Sequence, residues 1–149
     1  MERTLVLVKP DAMQRGVAAE ILSRLERRGL KLVGLKLMQV SDALAREHYG
    51  EHEGKSFFEG LIAYITASPI IAAVFEGTSA IQATRSTLGK TNPAVAEPGT
   101  VRGDLGLETG RNLVHGSDSG ESAAREIALF FPDAELFTYP REVDRWIFE

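Results

Sequence analysis

The hydrophobic residues of this chain follow a pattern of alternating strands and helices. Residues 5–8 form a continuous apolar, β-favouring run, which predicts a buried strand. Within residues 13–28 the apolar positions recur at helical spacing, and Gly29 follows where a helix C-cap belongs. Residues 30–40 largely alternate between apolar and polar side chains, which predicts a strand with one face more exposed.

The alternation continues along the rest of the chain. Further helices are predicted at 41–50, 57–66, 79–89 and 118–131, and further strands at 70–75 and 112–116. Residues 90–110 contain two prolines and several glycines with little apolar periodicity, which predicts a long loop. Because strands and helices alternate, we predict an α+β protein of ferredoxin-like (split βαβ) architecture, a four-stranded antiparallel sheet covered by helices.

Length and composition indicate one domain spanning residues 1–149. The chain has 44% hydrophobic residues and no cysteine, which excludes disulfides, thiolate nucleophiles and cysteine-ligated metal sites. A net charge of −4 argues against a general nucleic-acid or anionic-membrane surface. The N-terminal apolar run is too short for a signal peptide, and the longest uncharged stretch, 60–75, is interrupted by Ser68-Pro69. We therefore expect a soluble, cytoplasmic protein.

A histidine stands at the end of the last predicted strand. His115 is followed by Gly116, which permits close approach of a ligand, and by a helix start whose free N–H groups suit phosphate. Glu126 lies near the middle of that helix, where it can reach back to one imidazole nitrogen. The plainer interpretation is a surface or structural histidine, which is the commoner role of a lone histidine at a strand end.

Positive charge gathers around the long loop. Arg85, Lys90, Arg102 and Arg111 flank or lie within this glycine-rich segment of an acidic protein. Arginine binds phosphate oxygens in a bidentate manner, so the cluster is typical of an anion site. A solvated charged loop is the alternative, because spacing alone does not show that these side chains converge.

Residues 112–118 carry a specific resemblance. Their sequence, Asn-Leu-Val-His-Gly-Ser-Asp, matches the Asn-x-x-His-Gly-Ser-Asp signature of nucleoside diphosphate kinases. The chain also resembles this family, in family order, through Lys9-Pro10-Asp11, Arg15-Gly16, His48-Tyr49, Phe57-Phe58, Thr91-Asn92-Pro93, Arg102-Gly103-Asp104 and Trp146-Ile147. Three positions depart from the family pattern: Ala12, Ser68 and Leu105.

The resemblance implies a role for each matched residue. His115 resembles the nucleophile that takes the γ-phosphoryl group of a nucleoside triphosphate and passes it to a diphosphate, by a ping-pong mechanism with broad base specificity. Glu126 and Ser117 look like the residues that orient its imidazole, and Phe57 matches the aromatic that stacks on the base. The residues that match phosphate-binding and ribose-binding positions are Lys9, Tyr49, Arg85, Thr91, Arg102 and Asn112.

The expected metal is Mg²⁺ that arrives with the nucleotide. Mg²⁺ bound to the β- and γ-phosphates would complement the cationic side chains in balancing the phosphate charge. No cluster of carboxylates along the chain indicates a dedicated metal site. We therefore assign no metal-ligating residues.

The C-terminal tail raises the question of self-association. Trp146, Ile147 and Phe148 are three large apolar residues beside the C-terminus. Exposed apolar clusters commonly mark an interface, although docking on the same subunit is the alternative. Because family members are homo-oligomeric, the resemblance implies a homo-oligomer, with a hexamer favoured and a tetramer possible.

Two further motifs are interpreted as non-functional. Gly89-Lys90-Thr91 ends like a phosphate-binding P-loop, but the earlier glycine is missing and Pro93 follows. His48 and His52 are spaced as a metal pair, but Gly50 lies between them and no third ligand is evident, so we expect surface residues.

Two rival functions stay open. One is a serine hydrolase that uses Ser117 or Ser119 with a histidine, although no Gly-x-Ser-x-Gly elbow occurs. The other is a non-catalytic ligand-binding domain, since a fold does not determine a function. Formation of a phosphoenzyme without an acceptor separates the kinase from both.

Overall fold

A four-stranded antiparallel sheet forms the centre of the computed structural model, which describes all residues from 1 to 149. The strands are β1 (Glu2–Val8), β2 (Lys31–Met38), β3 (Ile70–Gly77) and β4 (Val114–Gly116). Their order across the sheet is β2-β3-β1-β4, and every neighbouring pair is antiparallel. The predicted α+β, ferredoxin-like fold is confirmed.

Helices cover both faces of this sheet. They are α1 (Pro10–Gln14), α2 (Ala18–Arg27), α3 (Asp42–His48), α4 (Phe58–Ile65), α5 (Ala80–Leu88), α6 (Val101–Leu105) and α7 (Gly120–Phe130). Leu5 and Leu7 of β1 point into one core with α3, α4 and α7, whereas Val6 and Val8 point into the other with α2 and α5. Burial on both faces explains why β1 is a continuous apolar run. None of the helices has the length and apolar character needed to cross a membrane.

The single helix predicted over 13–28 is wrong, because the chain forms two helices in this region. α1 begins directly after Lys9, since Pro10 is well suited to the first position of a helix. It ends before Gly16, whose φ of +70° turns the chain before α2 begins at Ala18. The short α1 keeps Lys9 at the junction with the sheet, where its N–H donates to the carbonyl of Leu113 at 2.8 Å.

The loop predicted over 90–110 also contains regular structure. It includes α6 and the 3₁₀ turns Pro93–Val95 and Thr109–Arg111. The hydroxyl of Thr100 caps α6 by accepting a hydrogen bond from the Gly103 N–H at 3.0 Å. The loop is therefore a structured segment that presents its side chains to β4.

The three departures from the family pattern lie in ordered local structure. Ala12 is fully buried in α1. Ser68 accepts a hydrogen bond from Gln14 at 3.0 Å, and the carbonyl of Leu105 accepts one from Arg15 at 2.6 Å. These contacts connect α1 to the segment before β3, and the residue after α1 to the end of α6.

The C-terminal tail is partly docked on its own subunit. Ile147 packs so closely on Gly29 that a Cβ there would lie 2.8 Å from its Cγ2 atom. Phe148 lies near Gly77 at the end of β3. Trp146, in contrast, is 79% exposed. The tail thus contributes to the packing of the subunit and also presents an exposed apolar surface.

Candidate active site

β4 and α7 bring an imidazole and a carboxylate together. His115 lies on β4, which pairs with β1, and Glu126 lies in the middle of α7. His115 Nε2 and Glu126 Oε1 are 2.9 Å apart. Ser119 caps α7 by accepting a hydrogen bond from the Ser122 N–H at 3.1 Å, which fixes where the helix begins. The strand, the turn and the helix thus set the position of the carboxylate relative to the ring.

Ser117 holds the same carboxylate from a second side. Its buried hydroxyl donates to Glu126 Oε1 at 2.7 Å and accepts from the Leu5 N–H at 3.2 Å. Burial alone would raise the pKa of Glu126, but hydrogen bonds from His115 and Ser117 outweigh it and hold the pKa below its ordinary value. The anionic carboxylate accepts the Nε2 proton of His115, which leaves the lone pair of Nδ1 free.

Lys9, Asn112 and Thr91 form a second set of hydrogen bonds. Lys9 Nζ donates to Asn112 Oδ1 at 2.9 Å, and Asn112 Nδ2 donates to the carbonyl of Thr91 at 3.0 Å. Burial, followed by the charge of Arg102, lowers the pKa of Lys9 to about 8. A bound anion stabilises a cation in such surroundings, so Lys9 and Arg102 together indicate an anionic ligand.

The guanidinium of Arg102 connects the segment after α5 to β4. It donates to the carbonyls of Val114, Gly89 and Asn112 at 2.6, 2.8 and 3.2 Å. Burial, followed by the charge of Arg85, lowers the pKa of Arg102 to about 10, so the group stays protonated at neutral pH. A guanidinium has five N–H donors, and these carbonyls leave some of them for a ligand.

The four predicted cations are only partly brought together. Arg85 is exposed, donates weakly to the carbonyl of Gly116 at 3.4 Å, and is close enough to influence Arg102. The guanidinium of Arg111 lies 4.8 Å from the centre of the Tyr64 ring. Lys90 is exposed at the start of the loop.

Asp11 and Tyr64 hold the backbone next to His115 through hydrogen bonds, a role that was not predicted for either residue. Leu113 has a left-handed φ of +74°, which is unusual for a residue with a side chain. Its N–H donates to Asp11 Oδ2 at 3.0 Å, while the hydroxyl of Tyr64 donates to Asp11 Oδ1. These contacts hold the backbone between Asn112 and His115. The sequence feature that could have indicated this role is the position of Asp11 shortly after the first strand.

His48 is buried, so the expectation that it lies on the surface is wrong. It is only 4% exposed because it ends α3 on the face that packs on the sheet. Its ring centre lies 4.9 Å from that of His115 and 4.7 Å from that of Tyr49. Burial, followed by the charge of His115, lowers the pKa of His48 to about 3. His48 is therefore a neutral imidazole beside that of His115.

A groove of about 720 Å³ lies beside Asp11 and Tyr64. Its lining includes Phe57, Leu61 and Tyr64, together with Asp11 and Arg111. Phe57 is 49% exposed, whereas the neighbouring Phe58 belongs to the core. The volume suits a small organic ligand, and Phe57 offers a free ring surface at its edge.

Tyr49 packs against the buried His48, with ring centres 4.7 Å apart. Its side chain is largely buried, and burial raises the pKa of its hydroxyl to about 12. The hydroxyl has no hydrogen-bond partner in the chain. A buried neutral donor of this kind is well suited to a ligand oxygen.

The chain is similar to known proteins along nearly its whole length. A family model described as nucleoside diphosphate kinase matches residues 2–136. The nucleoside diphosphate kinases of Carboxydothermus hydrogenoformans and Thermomicrobium roseum are each 59% identical, over 100% and 99% of both chains. Among solved structures, a halophilic nucleoside diphosphate kinase from Halobacterium salinarum in complex with CDP matches with a TM-score of 0.97 and 49% identity, over 99% of both chains. A family member from Babesia bovis matches with the same TM-score and 43% identity, over 99% of this chain and 100% of that one.

Proposed function

The chain belongs to the nucleoside diphosphate kinase family, and we propose that His115 is the residue that carries the phosphoryl group. Its reaction is the transfer of the γ-phosphoryl group from a nucleoside triphosphate to a nucleoside diphosphate through a phosphohistidine. The assignment to His115 rests on one observation. The hydrogen bonds from His115 and Ser117 to Glu126 fix the imidazole and leave Nδ1 free.

In the first half-reaction, the lone pair of His115 Nδ1 attacks the γ-phosphorus. The bond from this phosphorus to the β–γ bridging oxygen breaks, and the diphosphate leaves with its electron pair. The imidazole becomes positively charged, and Glu126 stabilises it through the Nε2 proton. The second half-reaction reverses these steps with another diphosphate as acceptor, which gives ping-pong kinetics.

The cations around the imidazole bind the phosphates in this proposal. The phosphoryl group in transfer spreads negative charge over its oxygens. The rate of transfer therefore depends on how the reactants are positioned and on nearby positive charge. Lys9 and Arg102 lie buried beside Asn112, and Arg85 contributes charge from the exposed side. Asn112, Thr91 and Tyr49 complete the phosphate and ribose contacts.

Phe57 binds the base by stacking. Its half-exposed ring stands at the edge of the groove, with Lys55 Nζ 5.7 Å from the ring centre. Stacking tolerates every base because each has an aromatic face. We therefore propose broad base specificity.

Mg²⁺ fits this site as a companion of the nucleotide. Glu126 already accepts two hydrogen bonds, and Asp11 accepts hydrogen bonds from Leu113 and Tyr64. Mg²⁺ prefers several oxygen ligands and keeps its waters, and these two separately held carboxylates do not provide such a set. When bound to the β- and γ-phosphates, the ion neutralises part of their charge.

The serine hydrolase alternative receives no support from the geometry. The hydroxyl of Ser117 donates to Glu126 and not to a histidine, and Ser119 caps α7. A nucleophilic serine requires a hydrogen bond to its general base.

We also propose that the chain forms a homo-oligomer, with a hexamer favoured over a tetramer. The exposed Trp146 and the exposed Leu35 and Leu37 on edge strand β2 are apolar surfaces that a second copy would cover. A cytoplasmic location stays a prediction.

Labelled ATP with Mg²⁺, and no acceptor, tests the assignment of His115. We expect a label that survives alkali, is lost in acid, and is discharged by a nucleoside diphosphate. His115→Ala should take up no label. His52→Ala, which removes a different histidine, should still be labelled. Label on a serine, or normal labelling of His115→Ala, would show that the assignment is wrong.

A further inference from the structure

His48 has a binding capacity that the phosphoryl-transfer reaction does not use. Both of its ring nitrogens are buried and have no hydrogen-bond partner. Buried polar atoms in proteins are nearly always paired, so these two nitrogens require an explanation. The rings of His48 and His115 are almost perpendicular, at 86°, with centres 4.9 Å apart.

Two imidazoles and one carboxylate converge at this point. One ligand atom from each of His48, His115 and Glu126 lies within 4.8 Å of the other two. Two imidazoles and one carboxylate form a ligand set that Zn²⁺ adopts in proteins, with a fourth position left for water or substrate. Neutral imidazole nitrogens bind borderline ions such as Zn²⁺, Co²⁺ and Ni²⁺ far better than they bind Mg²⁺.

We propose that His48, His115 and Glu126 form a binding site for a divalent transition-metal ion of the Zn²⁺ class, separate from the Mg²⁺ of the nucleotide. Metal–nitrogen distances of about 2.0–2.1 Å require ligand atoms roughly 3.4 Å apart. His115 Nε2 and Glu126 Oε1, 2.9 Å apart, are already within this separation, so mainly His48 must move, by at most about 1.4 Å. His115 is half-buried at the edge of the cluster, which provides a route for the ion.

The bound ion inhibits phosphoryl transfer, and this consequence rests on the proposed role of His115. A metal on Nε2 of His115 moves the ring proton to Nδ1, whose lone pair is then no longer free, and it occupies the carboxylate that stabilises the ring cation. Both effects weaken the nucleophile. Excess Mg²⁺ does not relieve the inhibition, because Mg²⁺ prefers oxygen ligands and keeps its waters.

The composition of the chain makes this site easy to test. It has no cysteine and three histidines, so His52 is the one histidine outside the cluster. His52 is partly exposed and lies 5.4 Å, between ring centres, from Phe57. His52→Ala therefore serves as a matched control. His48→Phe removes both nitrogens while keeping an aromatic ring against Tyr49 and Phe130.

The decisive experiment is a titration of the untagged, nucleotide-free protein with Co²⁺ and Zn²⁺. We expect one ion per chain, with the visible absorption bands of four-coordinate Co²⁺ that Zn²⁺ abolishes. His48→Phe should weaken binding about tenfold or more, and His52→Ala should leave it within about twofold of the unmodified chain. Equal binding by His48→Phe, or loss of binding with His52→Ala, would overturn the proposal.

Two further measurements separate loss of the metal site from unfolding and from failure of the proposed role of His115. If circular dichroism shows that His48→Phe is unfolded, Glu126→Gln provides the second variant, and unchanged affinity in it also overturns the site. Labelling by ATP without added transition metal is measured separately. Metal binding together with failed labelling would refute the role of His115 and leave the metal site supported, whereas labelling without metal binding would refute only the metal site.

Discussion

The carboxylate of Glu126 lies 2.9 Å from Nε2 of His115, and this contact determines which imidazole nitrogen stays free. Because Ser117 donates to the same carboxylate oxygen, the acceptor cannot rotate away without losing two hydrogen bonds. The ring is thus oriented before any ligand binds. Preorganised groups of this kind need little rearrangement during the reaction.

Glu126→Gln should lower kcat about 100-fold with little change in KM. The amide keeps the size of the side chain but cannot stabilise a ring cation as a carboxylate does, and Glu126 contacts no phosphate in the proposed complex. Steady-state kinetics with ATP and a diphosphate measure both constants. A change confined to KM would contradict the orienting role.

Arg102→Ala should raise KM and lower kcat, because a phosphate-binding cation acts in both the ground state and the transition state. The variant also loses three hydrogen bonds to carbonyls, so we expect it to be destabilised by about 3 kcal/mol. Kinetics and urea unfolding measure the two effects. Arg46→Ala, at an exposed ion pair, is the control and should change neither.

Lys9 should make the activity fall at alkaline pH. The pKa of Lys9 is lowered to about 8, so the free enzyme loses this positive charge as the pH rises through that value. In the proposed complex the charged form binds phosphate, and therefore kcat/KM should decline above about pH 8. In Lys9→Met, kcat/KM should be lower at every pH and this decline should be absent. The same alkaline decline in the variant would show that another group is responsible.

Base selectivity should be weak, with kcat/KM values for purine and pyrimidine diphosphates within about 100-fold of one another. Phe57 presents its ring, and stacking does not distinguish base edges strongly. Phe57→Ala should weaken the binding of all bases alike. A thousandfold preference for one base would require a group that reads its edge.

Light scattering coupled to size-exclusion chromatography should give a mass that is a multiple of the subunit mass. We expect six subunits. Leu37, 66% exposed on edge strand β2, and Trp146 would be covered in such an assembly. A monomer mass at micromolar concentration would refute self-association. A fourfold mass would refute only the hexamer.

Local pattern was sufficient for most of the secondary structure and for singling out His115, the residue that we propose as nucleophile. Residues 5–8 predict β1 because a strand buried on both faces has apolar residues at every position. Glu126 could be linked to His115 because a short turn between a strand and a helix limits where the helix can lie. These inferences need only neighbours in the sequence and the family signature around His115.

Properties that depend on contacts between residues far apart in the chain could be read only from the three-dimensional structure. The burial of His48 follows from the packing of α3 on the sheet, and a histidine in isolation carries no sign of it. Likewise, the carbonyls that accept hydrogen bonds from Arg102 belong to separate segments. The hydrophobic pattern of the sequence does not indicate that these segments meet. Periodicity reports which face of an element is apolar, whereas burial and charge proximity depend on which elements meet. Local patterns thus predict most elements and the histidine that we propose as nucleophile, whereas the packing of distant segments determines the surroundings of that histidine.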